Sequence, residues 1–183
     1  MKTSHTLKRA AWRAVPPGHP HPLHGWLTSR GSLTARIVAR TNEFKLTRLS
    51  QRYRAANADE LGELGLRAKE KVMVREVILW SGDMPLVFAH SIAGRRDLAG
   101  TWRSLRGLGT RPLAAMLFAN PRVTRQPIEF QRIDRRHPLY RQAVGMFPTL
   151  PPSLWARRSV FLLDGRPLLV TEVFLPGIAT LAK

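Results

Sequence analysis

Two apolar runs in this chain each break at a glycine–aspartate pair and then resume, and that pattern limits what the chain can fold into. Lys71–Trp80 (KVMVREVILW) is followed by Ser81-Gly82-Asp83-Met84 and then by the run PLVFAHSIA from Pro85 to Ala93. Ser159–Leu163 (SVFLL) is followed by Asp164-Gly165 and then by Arg166–Pro176. The flanks are rich in β-branched and aromatic residues, and glycine accepts the positive φ that tight hairpin turns require. Each pattern predicts an antiparallel hairpin. Helical patterns lie before and between the hairpins rather than in strand–helix–strand alternation. The expected fold class is therefore α+β, with a single antiparallel sheet and helices packed on it.

The rest of the chain supplies the other elements. Residues 1–22 read as an irregular basic arm, stiffened by Pro16, Pro17, Pro20 and Pro22. His19 and His21 within it lack further ligands at metal-binding spacing. Residues 23–183 are expected to form one domain. Leu23, Trp26 and Leu27 share a helical face, and Ser32 is placed to cap a second short helix carrying Leu33, Ile37 and Val38. Residues 44–53 and 123–133 read as strand, 54–70 as loop or short helix, and 96–107 and 110–118 as helical. Residues 134–152 read as a basic, proline-containing loop.

Composition excludes several functions. Hydrophobic residues make up 44% of the 183, which is enough for a core. No stretch reaches the roughly 18 apolar residues of a membrane span, and no secretory signal pattern opens the chain, so a cytoplasmic protein is expected. With Cys 0, disulfides, thiolate metal sites and a cysteine nucleophile are excluded. Lys and Arg total 30 against 12 acidic residues, a net charge of +18 that should attract anions. The charge is mostly arginine and is spread along the chain, which suits substrate steering better than a specific nucleic-acid face. Searches for nucleophile-elbow, phosphate-loop, dinucleotide and zinc-protease motifs find nothing.

Two charges interrupt apolar strands: Arg75 and Glu172. A buried charge needs a partner, so each could meet a ligand, Arg75 a carboxylate and Glu172 a hydroxyl. Alternatively one or both point to solvent, or they pair with each other. Arg75 is in phase with Met73, Val77 and Leu79, while Glu76 faces the other way, so one of the two should be exposed. Glu172 is in phase with Leu168, Val170 and Phe174, which favours its burial. His90, between Phe88 and Ile92, reads as a core or rim histidine rather than a base.

The segments Arg75–Leu79 (REVIL), Leu108–Leu113 (LGTRPL), Leu154–Ser159 (LWARRS) and Gly165–Pro176 (GRPLLVTEVFLP) together resemble bacterial chorismate lyase, also called chorismate–pyruvate lyase. Their order and spacing fit from about residue 23 to 176, and the last block is the most specific. The resemblance implies a closed pocket under helical flaps and cofactor-independent, metal-free removal of pyruvate from chorismate. The product would be 4-hydroxybenzoate, in the first committed step of ubiquinone biosynthesis. It implies that Arg75 binds the ring carboxylate and that Glu172 lies near the ring's 4-oxygen as an acid or hydrogen-bond partner. Leu33 and Leu113 would contribute flap contacts. It also implies a second arginine in the site region where this chain has His90, a change that would alter substrate entry.

On this basis Arg75 and Glu172 are the expected catalytic residues, and Leu33, Arg75, Leu113 and Glu172 the expected substrate and product contacts. Aromatisation supplies driving force, so orientation and charge stabilisation would carry the rate. The partners expected are chorismate and 4-hydroxybenzoate alone, with no specific nucleic acid and the chain acting as a monomer. The main alternative is a non-enzymatic small-ligand-sensing domain of the same fold. Such domains usually follow a DNA-binding helix-turn-helix, for which residues 1–22 are too short and too proline-rich. A nucleic-acid module would need aromatics interleaved with arginine on a surface sheet, whereas Trp80, Phe88, Phe161 and Phe174 lie within apolar runs.

Overall fold

A computed structural model describes residues 12–18, 21–67 and 69–181. Strands β1 (Phe44–Ala55), β2 (Lys71–Ser81), β3 (Met84–Gly94), β4 (Thr124–Arg125), β5 (Glu129–Asp134), β6 (Ser153–Leu163) and β7 (Arg166–Phe174) form one sheet. Its order is β1-β2-β3-β7-β6-β4, with β5 also paired to β6, and every ladder is antiparallel. Both hairpins are present. Asp164 and Gly165 have φ of 51° and 71°, the left-handed pair that matches strand twist in a two-residue turn. Gly82 at φ 55° turns the other hairpin. The expected strand over 123–133 is split into β4 and β5 around Pro127, which has no N–H for the ladder.

Helices α1 (His24–Thr28), α2 (Leu33–Val38), α3 (Leu113–Ala119) and α4 (Pro138–Met146) cover the sheet. The Ser32 side chain accepts a hydrogen bond from Ala35 N, as its capping position predicts. The pattern over 96–107 yields only turns and a 3-10 segment, Arg103–Gly107, between Gly94, Gly100 and Gly107. Glycine is costly in a helix interior.

Both faces of the sheet carry two apolar clusters, with a polar seam between them. On one face Trp26, Leu27, Leu33 and Ile37 of α1 and α2 pack on Val77, Leu79 and Phe174. On the same face Leu113 and Leu117 of α3 pack with Trp102, Met73 and Phe161. On the other, Leu139, Tyr140 and Ala143 of α4 meet Ile78, Phe88 and Ala156, and Leu64 meets Val72, Val74 and Ile92.

Two expectations are corrected here. The loop expected over 134–152 contains α4. His137 caps it by accepting from Leu139 N, Pro138 occupies its first turn, and the Tyr140 hydroxyl donates to the Pro151 carbonyl at 2.6 Å. Proline at that position is compatible with a helix start, because its missing N–H would have no partner there. The other correction concerns β2, where neither Arg75 nor Glu76 is exposed: they are 2% and 6% accessible. A strand covered on both faces has no solvent side for alternation to report. In the described part of the arm, Arg13 bridges Phe130, and Trp12 Nε1 donates to Asp59 at 2.9 Å. His19 and Pro20 lie outside the described residues.

Candidate active site

The pocket lies in the polar seam beneath α2 and α3. Across β2, β3, β7 and β6, Arg75, Ser91, Val170 and Ser159 stand in one cross-strand row. Val77, Ala89, Glu172 and Arg157 form the next row on that face. The two rows floor a pocket roofed by Leu33 and Leu113 from the flanking helices.

Arg75 is buried, and its Nη2 donates to the carbonyls of Gly109 (3.2 Å) and Arg111 (3.0 Å) in the loop leading into α3. Its Nε has no hydrogen-bond partner, and among the described residues no carboxylate pairs with it. Burial, and then the charge of Arg48, pull its pKa down to about 10, so it remains cationic at neutral pH. A buried guanidinium with an unused donor has the capacity to take a further hydrogen-bond acceptor.

Glu172 sits two strands away. Its Oε2 accepts from Arg157 Nε at 2.5 Å, and its side chain keeps 17% of its surface exposed, toward the cavity. Arg157 is 1% accessible, and its Nη1 donates to the carbonyls of Trp26 (2.9 Å), Leu27 (3.0 Å) and Ser29 (2.8 Å). These carbonyls close α1, which has no basic residue of its own in its last turn. One guanidinium therefore fixes the Glu172 carboxylate and ties the C-terminal end of α1 to the sheet. Arg125 of β4 also reaches the cavity. Its Nε donates to Ser159 Oγ (3.0 Å) and its Nη1 to the Arg30 carbonyl (2.7 Å) between α1 and α2.

Arg75, Glu172, Leu33 and Leu113, expected at one site, all line this cavity. His90 does not. Its β3 neighbour Ser91 faces the cavity, and alternation turns His90 to the opposite face. There its Nδ1 lies 3.1 Å from Glu76 Oε1 and its Nε2 3.0 Å from Glu60 Oε1. Burial alone would lower its pKa, but hydrogen bonds and charge from Glu60 and Glu76 outweigh that and raise it. His90 therefore cannot stand in for a site arginine. Arg157 and Arg125 were missed as site residues, although Arg157 interrupts an apolar run as Arg75 does. Among the described residues no three His, Asp or Glu side chains gather as metal ligands, and no helix is long and apolar enough to cross a membrane.

A model of the family described as chorismate lyase matches residues 6–182. A protein of Azoarcus sp. (strain BH72) named "Probable chorismate pyruvate-lyase" is 48% identical over 179 residues, covering 95% of each chain. A protein of the same name from Nitrosospira multiformis is 45% identical over 172 residues, covering 93% of this chain and 96% of that one. Among solved structures, a PhnF C-terminal domain superposes with a TM-score of 0.57 at 13% identity, over 78% of this chain and 89% of that one. The effector domain of PhnF from Mycobacterium smegmatis superposes at 0.55 and 14% identity, over 81% and 90%. At such identities the likeness concerns fold alone.

Proposed function

Because this chain belongs to the chorismate lyase family, we propose that it cleaves chorismate to 4-hydroxybenzoate and pyruvate in the cytoplasm, as the first committed step of ubiquinone biosynthesis. The observation that carries this proposal is the buried Arg75, without a carboxylate partner among the described residues, in the same pocket as the Glu172–Arg157 pair. Arg75 holds the ring carboxylate, using the Nε donor that the protein leaves free. Glu172 accepts a hydrogen bond from the 4-hydroxyl at the other end of the ring, and Arg157 keeps its carboxylate in place.

In the reaction the C3–O bond breaks and C4 loses its hydrogen as a proton. The C–H electron pair completes the aromatic ring. The leaving enolpyruvyl group regains one proton to become pyruvate, so atoms and charge balance. Aromatisation drives the reaction, and the protein orients C4 and stabilises developing negative charge in a pocket lined by arginines.

The fold is shared with effector-binding domains and does not choose between catalysis and sensing. The deciding experiment is incubation of the purified chain with chorismate while both products are followed. Equimolar 4-hydroxybenzoate and pyruvate support the lyase assignment. Binding of 4-hydroxybenzoate without turnover would mean a sensor or a lapsed enzyme.

A further inference from the structure

Chorismate carries two carboxylates, one on the ring and one on the enolpyruvyl arm, whereas 4-hydroxybenzoate carries one. Arg75 can take only the first in the pose above. At the far end of its row stands Ser159, three strand steps away through Ser91 and Val170. At strand spacing that places the two backbones about 14 Å apart. Arg125 reaches over that end, its Nε bound to Ser159 Oγ and its guanidinium 5.2 Å from the Phe161 ring centre. Both arginines line the same pocket from its two ends.

Arg125 also has capacity to bind. Arg157 is already committed to Glu172 and three carbonyls. Arg125 uses Nε and Nη1, while no hydrogen bond engages its Nη2 and no carboxylate pairs with it among the described residues. Burial, and then the charge of Arg157, lower its pKa to about 10 against the opposing effect of Glu172, so it too is cationic at neutral pH.

We propose that Arg125 is a specificity-determining residue that binds the enolpyruvyl carboxylate of chorismate, so that the pocket tells the dicarboxylate substrate from its monocarboxylate product. This rests on the lyase assignment above. When the C3–O bond breaks, that carboxylate departs with pyruvate, and the ring product is left with no ligand for Arg125.

The test uses Arg125→Gln and Arg125→Lys in the full chain. Each is measured for the dissociation constant of 4-hydroxybenzoate, for KM and kcat with chorismate, and for chorismate affinity by competition with 4-hydroxybenzoate. Arg125→Gln is expected to weaken chorismate by about tenfold or more, the range for losing one partner of a desolvated charge pair. It should change 4-hydroxybenzoate affinity by less than about threefold, within the range of mutational scatter. Arg125→Lys, which keeps the charge, should recover part of the loss. Equal weakening of both ligands would mean that Arg125 only pins the flap through Arg30, and would overturn the proposal. So would no change in either. If the unaltered chain binds both compounds but releases no pyruvate, the lyase assignment fails, while the competition measurement still decides the role of Arg125.

Discussion

Arg75 shows how one side chain sets the character of a site. Removing its charge empties the only role proposed for the cavity's inner end. Arg75→Ala should weaken 4-hydroxybenzoate by about 30- to 1000-fold, the equivalent of about 2–4 kcal/mol for one partner of a buried charge pair. Isothermal titration checks this, and unchanged affinity would remove Arg75 from the site. Glu172→Gln keeps the shape and an acceptor oxygen but loses the charge paired with Arg157. Its expected signature is a fall in kcat with chorismate together with a smaller loss of product affinity. The assignment would fail if the two changed in equal proportion.

Among the elements, the short helices α1 and α2 are weak by themselves. Five or six residues cannot sustain a helix in water without tertiary support. α1 depends on Arg157 and the burial of Trp26 and Leu27, and α2 on its Ser32 cap. Ser32→Ala should cost about 1 kcal/mol, seen as a melting point lower by about 2–4 °C in a domain of this size. Because α2 carries Leu33 into the cavity, the same variant should release 4-hydroxybenzoate faster, as stopped-flow fluorescence would report. An unaltered release rate would mean that α2 is not a moving part of the flap. α4 was less legible because Arg135, Arg136 and Arg141 made its segment look solvated. His137-Pro138 and the apolar face Leu139, Tyr140 and Ala143 were the signals available.

For the molecule as a whole, the buried seam opposite the pocket sets the response to pH. Glu76 would be raised by burial, but hydrogen bonds from His90 and Ser50 and the charges of His90 and Arg54 bring it to about 2. Asp59, against the same burial effect, is brought to about 2 by His137 and Trp12. Depressed carboxylates contribute stability that is present above their ordinary values and lost as pH falls toward the folded ones. His90 is raised, so its contribution is complete below its ordinary value of 6.5 and lost as pH rises through the folded one. Stability should therefore peak in mildly acidic solution, with an acid limb from the carboxylates and a limb above neutrality from His90. Urea denaturation across pH checks this, and His90→Gln should flatten the upper limb. A profile that keeps that limb in His90→Gln would assign it to another group.

The sequence by itself determined the hairpins, the fold class and two of the charged residues that line the pocket. Turn glycines, strand periodicity and charges inside apolar runs are local signals, and they survive without knowledge of what packs against them. Only the tertiary structure decided which buried charges share a cavity. It joined β3 to β7, which brought Arg75 and Glu172 onto one face two strands apart. It turned His90 to the other face against Glu60, thirty residues before it in the chain. It placed Arg157 between Glu172 and the end of α1. A strand buried on both sides gives no sequence cue to which face holds the ligand, because burial there depends on layers contributed by distant parts of the chain.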